Sequence, residues 1–340
     1  MKAILASNSF RQIMNTSKKP ADASVLKTRF LSRQAGLLAA LGFLLTLAVH
    51  AADTENLGKK FATPEDAVAA LRSVTGSADT NGLRLILGPA ASDLANPDRI
   101  QATNELRSFS SALAQTNHLL HVSDTRIILE LGDDLWPFPV PIVKKDGGWF
   151  FDTAVGKDEL LNRRIGTNEL GTIEVMRAYV DAQREYASAD HDGNEVLQYA
   201  QRLVSSPGKH DGLYWPPEFY EELSPLGPLV AYAQPEGYSP EQRYEQEVER
   251  GPFHGYYFRI LTRQGKHAPG GKYEYVINGN MIGGFAMIAW PAEHGDSGIM
   301  TFIVNQQGRV YQKDLGAKTS KVVSGIKAYD PDSSWTLSRD

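Results

Sequence analysis

Few residue strings in this chain have a spacing that could do chemistry. In SADHDGN, residues 188–194, Asp190, Asp192 and Asn194 place three oxygen-bearing side chains at alternate positions. Hard cations such as Ca2+ take oxygen ligands in short loops of this kind, so the string is a candidate calcium site. It departs from the EF-hand pattern, because Gly193 stands fourth rather than sixth and the twelfth residue is Gln201 rather than Glu. The same letters also suit a turn after a helix, where Asp, Gly and Asn serve for their backbone habits.

Histidine is the second source of chemistry. None of the eight histidines stands in an HExxH or HxxxH arrangement, which argues against zinc held by sequence-local ligands. His210 beside Asp211, then His254, then His294 two residues before Asp296, stand in loops around the C-terminal strands. If those loops converge, a histidine with a nearby carboxylate is a general base, and the chain is a periplasmic hydrolase. Ser297 in GDSG is similar to a nucleophile elbow, but an elbow needs strand–turn–helix and here a strand follows. A tight turn accounts for it. The chain has no cysteine, which excludes disulfides, thiolate nucleophiles and Cys-ligated metal.

Aromatic residues form a third group. Tyr214, Trp215 and Tyr220 lie in a proline-rich run and could present a platform for a sugar or a peptide. The same rings could instead pin a long loop to its own domain.

The elements that must position these residues read as follows. Thr63, Pro64, Glu65 and Asp66 start a helix, with Thr as N-cap, Pro in the first turn and acids at its positive end. Further helical stretches are expected at 81–87 and 98–116, then strands at 125–131, 136–143 and 149–153, the last two joined by a KKDGG turn. These make an N-terminal α+β domain over 61–160. One strong amphipathic helix is expected over 159–189, with a short one at 196–204. Residues 205–252 hold eight prolines and read as a surface excursion. An antiparallel meander over 255–314 follows, its strands alternating as if one face were buried, and 317–340 reads as a tail. The second domain is thus a long helix packed on a C-terminal antiparallel β-meander over 161–316, and the fold class is α+β.

Ahead of all this stands a targeting pattern. Seven basic residues and one acid precede or flank an apolar run over 35–52 that ends in small residues. At about 20 residues needed for a span, the run is short, and it reads as a signal peptide over 1–51 cleaved near Ala51. A start at Met14 and an uncleaved anchor are the alternatives. Residues 52–60 form a polar linker, and no later run is long enough to span a membrane, so a periplasmic or secreted location is expected. Beyond residue 51 the chain carries 28 basic and 39 acidic residues, a net charge of about −11. Such a surface repels phosphate backbones, so nucleic acid is not an expected partner.

Several of these segments together resemble a bacterial family, domain of unknown function 2950. They include DLWPFPVPIVKKDGGWFFDT, LLNRRIGTNEL, HGYYFRILTRQG and the run from YVINGNMIGGF to QKDLG, and they span nearly all of the chain after the leader. The N-terminal helix-then-hairpin order resembles cone-shaped domains of the nuclear-transport-factor-2 type. A second resemblance, over roughly 165–316, is to the headpieces of pilins and pseudopilins. It rests on Gln183, Tyr186, Asp190, Asp192, Gly193, Asn194, Tyr199 and Ala200, followed by Ala289, Pro291, Gly295, Gly298, Phe302, Val304 and Gly308. The leader lacks a prepilin processing signature. The resemblance implies a binding or assembly module that contacts an envelope protein or a cell-wall component, without catalysis. That is the preferred function class, with the hydrolase as the alternative.

Overall fold

The computed structural model describes residues 57–216, 223–227, 229, 238 and 251–338. Two compact units divide the chain, one of residues up to Asp93 with Ser110–Lys157, the other of Leu94–Phe109 with Asp158 onward. The class is α+β. The expected leader and linker fall almost wholly outside the described residues.

In the first unit, α1 (Pro64–Gly76) begins where its letters require: Thr63 Oγ1 accepts the Asp66 N–H at 3.1 Å. Helix α2 (Thr80–Leu87) is capped in the same way by Asp79, whose carboxylate accepts the Gly82 N–H. An antiparallel sheet follows, ordered β1 (Asn117–Ser123), β2 (Arg126–Leu131), β4 (Ile142–Lys145) and β5 (Gly148–Phe151), with the two-residue β3 (Trp136–Pro137) also on β2. β1 is not among the expected strands. Its pattern is almost wholly exposed, so no apolar alternation marks it, and its pairing with β2 defines it instead. The expected strand over 136–143 is interrupted: among the prolines Pro137, Pro139 and Pro141 the chain bends at Pro139 and Val140, and only the flanking β3 and β4 pair.

Helix α3 (Arg99–Gln115) and helix α4 (Thr153–Tyr186) each run through a boundary between the units. In the second unit a sheet is ordered β14 (Thr336–Leu337), β13 (Tyr311–Asp314), β12 (Met300–Asn305), β11 (Ala286–Pro291) and β6 (Tyr256–Leu261), antiparallel throughout. Two short ribbons accompany it, β7 (Arg263–Gln264) with β8 (Tyr273–Glu274), and β9 (Val276–Ile277) with β10 (Asn280–Met281). Helix α4 lies on the main sheet. Met176, Tyr179 and Val180 join its core, and the Tyr179 hydroxyl donates to the Ala286 carbonyl at 3.2 Å.

Three expectations change. The central strands β11 and β12 are buried along nearly every residue, so both faces are covered rather than one. The cover includes helix α5 (Thr319–Gly325) with buried Val323, and β14 completes the sheet, so residues 317–338 belong to the fold and are not a loose tail. The alternation of Tyr273, Tyr275 and Ile277 does not mark one buried face either: Tyr275 is buried and its two neighbours are exposed. The third change is at 196–204, where the structure has no helix. There the backbone groups bond elsewhere: Tyr199 N–H to the Met281 carbonyl, and Ala200 to the Gln183 side chain through both its N–H and its C=O. A buried glutamine that pairs with a backbone like a second strand removes the groups a helix needs.

Candidate functional site

The 190–194 loop ends the approach from α4. Asp190 Oδ1 accepts the N–H groups of Asp192 at 3.1 Å, Gly193 at 2.9 Å and Asn194 at 3.4 Å, and Oδ2 accepts that of Glu195 at 2.8 Å. Gly193 and Glu195 take left-handed backbone angles, which turns those donors inward. The bond from Glu195 holds the Asp190 carboxyl below the usual carboxylate range, against a smaller upward push from burial and with help from the other three donors. Asp192 accepts from the Gln198 amide at 2.7 Å, and Asn194 Oδ1 accepts the Val196 N–H at 2.9 Å. The three candidate calcium ligands are therefore the closures of the turn itself. Among the described residues, no group of three or more His, Cys, Asp or Glu side chains is arranged to hold a metal ion.

The candidate bases separate into three neighbourhoods. His210 stacks on Trp215, with centroids 4.3 Å apart and planes 16° apart, and its carbonyl accepts the Tyr186 hydroxyl at 2.8 Å. His191 stacks on Tyr186 at 4.2 Å and leans toward Trp215, so two histidines and two aromatic rings form one group. Asp211, beside His210, accepts from the Ser206 N–H at 2.6 Å and the Ser206 hydroxyl at 2.8 Å. Burial pushes the Asp211 carboxyl up, but those two bonds with the charges of Arg202 and Lys209 outweigh it, and the net displacement is downward.

His254 has φ 47° and Gly255 φ 75°; they are the two central residues of a hairpin turn in which Phe253 and Tyr256 exchange backbone bonds of 2.8 and 3.1 Å. Two successive left-handed residues are what a two-residue turn matched to strand twist requires. The His254 ring packs against Phe253 and Tyr238. His294 pairs through Nε2 with Asp314 at 2.8 Å. Ser297 is fully buried, and its hydroxyl donates to the Glu293 carbonyl and accepts the Glu293 N–H, which closes a tight turn. Tyr214 and Trp215 are buried in the sheet core, so their rings do not form an exposed platform, and Tyr220 lies outside the described residues.

Two features have no counterpart in the sequence reading. The first is a buried polar seam along α4. Arg164 pairs with Asp296 at 2.6 Å and donates to the Leu94 carbonyl; Asn168 bridges from Gln101 at 2.6 Å to the Ser297 carbonyl at 2.9 Å. Glu169 accepts the N–H groups of Ile299 and Met300, both at 2.9 Å. Asp98, 2% exposed, caps α3 and also accepts the Tyr238 hydroxyl at 2.7 Å and the Gly255 N–H at 3.2 Å. The signal was the i, i+4 spacing of Arg164 and Asn168. The second is a cleft of about 240 Å³ between residues 201–204 and strand β6, lined by Arg202, Val204, Phe258, Arg259 and Ile260 among others.

Together these observations define a two-unit α+β protein whose second unit is a long helix on an antiparallel sheet, with histidines lodged in aromatic and turn structure. The chain belongs to the family described as "Protein of unknown function (DUF2950)", whose model matches residues 58–337. No curated protein and no solved structure matches it.

Proposed function

We propose that this chain is exported to the periplasm or beyond and serves there as a non-catalytic binding or assembly module for an envelope protein or a cell-wall component. The observation that supports it best is the engagement of the chemical candidates. His210, His254 and His294 have three different sets of partners, Ser297 is buried in a turn, and Asp190 is saturated by backbone donors. A long helix laid on an antiparallel sheet also suits a pilin-like headpiece reused away from a filament. The export part rests on the basic stretch and apolar run that end near Ala51. Among the described residues no helix is long and apolar enough to cross a membrane, in keeping with a module that sits beyond the leader.

The test has two arms. A C-terminally tagged full chain is produced in a bacterium, its envelope fraction collected, and its intact mass measured. The expected product is periplasmic with a mass that corresponds to a chain starting at Ala52. The purified protein is then offered chromogenic esters, glycosides and phosphomonoesters beside His210→Ala, His254→Ala and His294→Ala. No turnover sensitive to these substitutions is expected. Full-length protein in the cytoplasm overturns the export arm, and turnover lost in one histidine variant returns the hydrolase.

A further inference from the structure

Strand β6 is an edge of its sheet, with β11 as its neighbour on one side. Bonds in an antiparallel ladder alternate, so every second residue of an edge strand turns its N–H and C=O away from its partner. Tyr256 is turned away, since both groups bond to Phe253. Thr262 is turned away as well, since its carbonyl accepts the Tyr275 N–H at 2.8 Å. Phe258 and Ile260 share that parity, and no described residue pairs with their outward groups. The cleft lies along this stretch. Phe258, Arg259 and Ile260 are consecutive, their side chains alternate between faces, and all three line it, which places the open space at the strand's edge.

The opposite wall bends at residues 201 and 203 and carries one strand-like bridge. Tyr214 N–H donates to the Leu203 carbonyl and Ser205 N–H to the Tyr214 carbonyl, a parallel bridge at Val204. Val204 therefore turns its own N–H and C=O away from Tyr214, and no described residue accepts or donates there. Two segments with unsatisfied edges flank one cleft, and an added strand supplies what both lack.

Charge narrows the occupant. Among the described residues the lining holds Arg202 and Arg259 and no carboxylate. Arg202 has one distant partner, Asp211 at 4.0 Å, and donates to Ser206 Oγ. The half-buried Arg259 bonds the carbonyls of Val323 and Ile326 at 2.8 and 2.7 Å and faces the Trp290 ring, with no acid among the described residues paired with it. We infer that the cleft between residues 201–204 and β6 binds an extended segment of a partner protein by strand addition, with an acidic side chain set against Arg259 and Arg202. This rests on the binding-module reading and gives it a site and a ligand chemistry.

The probes are two pools of blocked pentapeptides, with Val, Ile or Thr at four positions and Glu or Lys at the centre. The readout on the full chain is backbone amide exchange. With the Glu pool near nine-tenths occupancy, the Phe258 and Ile260 amides should exchange roughly tenfold more slowly, and the Lys pool should do far less. Ile260→Pro removes an outward donor, which an edge strand tolerates, together with a partly buried side chain that packs on the sheet core, and should abolish the effect at the Phe258 amide. Arg259→Gln should keep some protection and lose the preference for Glu over Lys, a result that stands even if the proline variant does not fold. Equal protection by both pools, or none at these two amides, overturns the inference. Protection elsewhere on the molecule would do so while leaving the binding-module reading intact, since that reading is decided by the fractionation and turnover assays.

Discussion

At the residue scale, carboxylates in this chain act on backbone more than on substrate. Asp190 accepts four N–H groups of its own loop, and these lower its pKa in the folded state. A carboxyl depressed on folding contributes stability above its unfolded value, near 3.8, and that contribution is lost as pH falls through the lower folded value. Asp190→Asn places an amide NH2 against the Glu195 or the Gly193 donors. Thermal melts should therefore show the variant below the wild type at neutral pH, with the gap narrowing as pH falls below 3.8 and through the lowered folded value. A gap that persists at the acid end would mean the side chain acts through something other than its charge.

At the element scale, Gln183 decides the path of the chain after α4. Its amide holds Ala200 on both sides at 2.8 Å and also donates to the Tyr179 hydroxyl at 3.1 Å. Gln183→Leu leaves a buried N–H and a buried C=O unpaired, at a cost of about 2–4 kcal/mol. Urea denaturation should show the midpoint falling with the slope unchanged. The same contact marks the border of what could be read from sequence. The Thr63 cap, the turn at 146–147 and strands β6, β11, β12 and β13 were legible, because their cues lie within a few residues; the Asp79 cap was not read. Residues 196–204 were not legible: Val196, Ala200 and Leu203 have helical spacing, but the bonds that fix the stretch come from residues outside it, Gln183 and Met281. β1 was illegible for a different reason, since an exposed strand carries no apolar alternation. At the site, the local role of Ser297 in a turn was readable, whereas the Arg164–Asp296 pair, 132 residues apart, was not. Nor was the cleft, which exists only where two remote segments face each other.

At the scale of the whole molecule, the chain beyond residue 51 carries 28 basic against 39 acidic residues. A net charge of about −11 disfavours every polyanion at long range, with a screening length of about 8 Å at physiological salt. Duplex DNA should show no gel retardation by the purified chain at that salt, and raising the salt should reveal no hidden complex; a shift that weakens as salt rises would contradict this. The basic surface that matters is local, at Arg202 and Arg259, where geometry rather than net charge selects the ligand.

The hairpin at Phe253–Tyr256 bears on how this chain can change over time. The alignment of β6 is set by its ladder with β11 and by that turn, not by the length of chain leading into it. Upstream, the Val204–Tyr214 bridge fixes the other end of the excursion, and Tyr238 is held to Asp98 between them. Loop closure entropy grows only logarithmically with length. The length of chain between these three anchors can thus vary at little entropic cost to the ladder. Such variation must spare Tyr238, and also Leu226, which is buried in the sheet core and bonds its N–H to the Leu213 carbonyl at 2.9 Å.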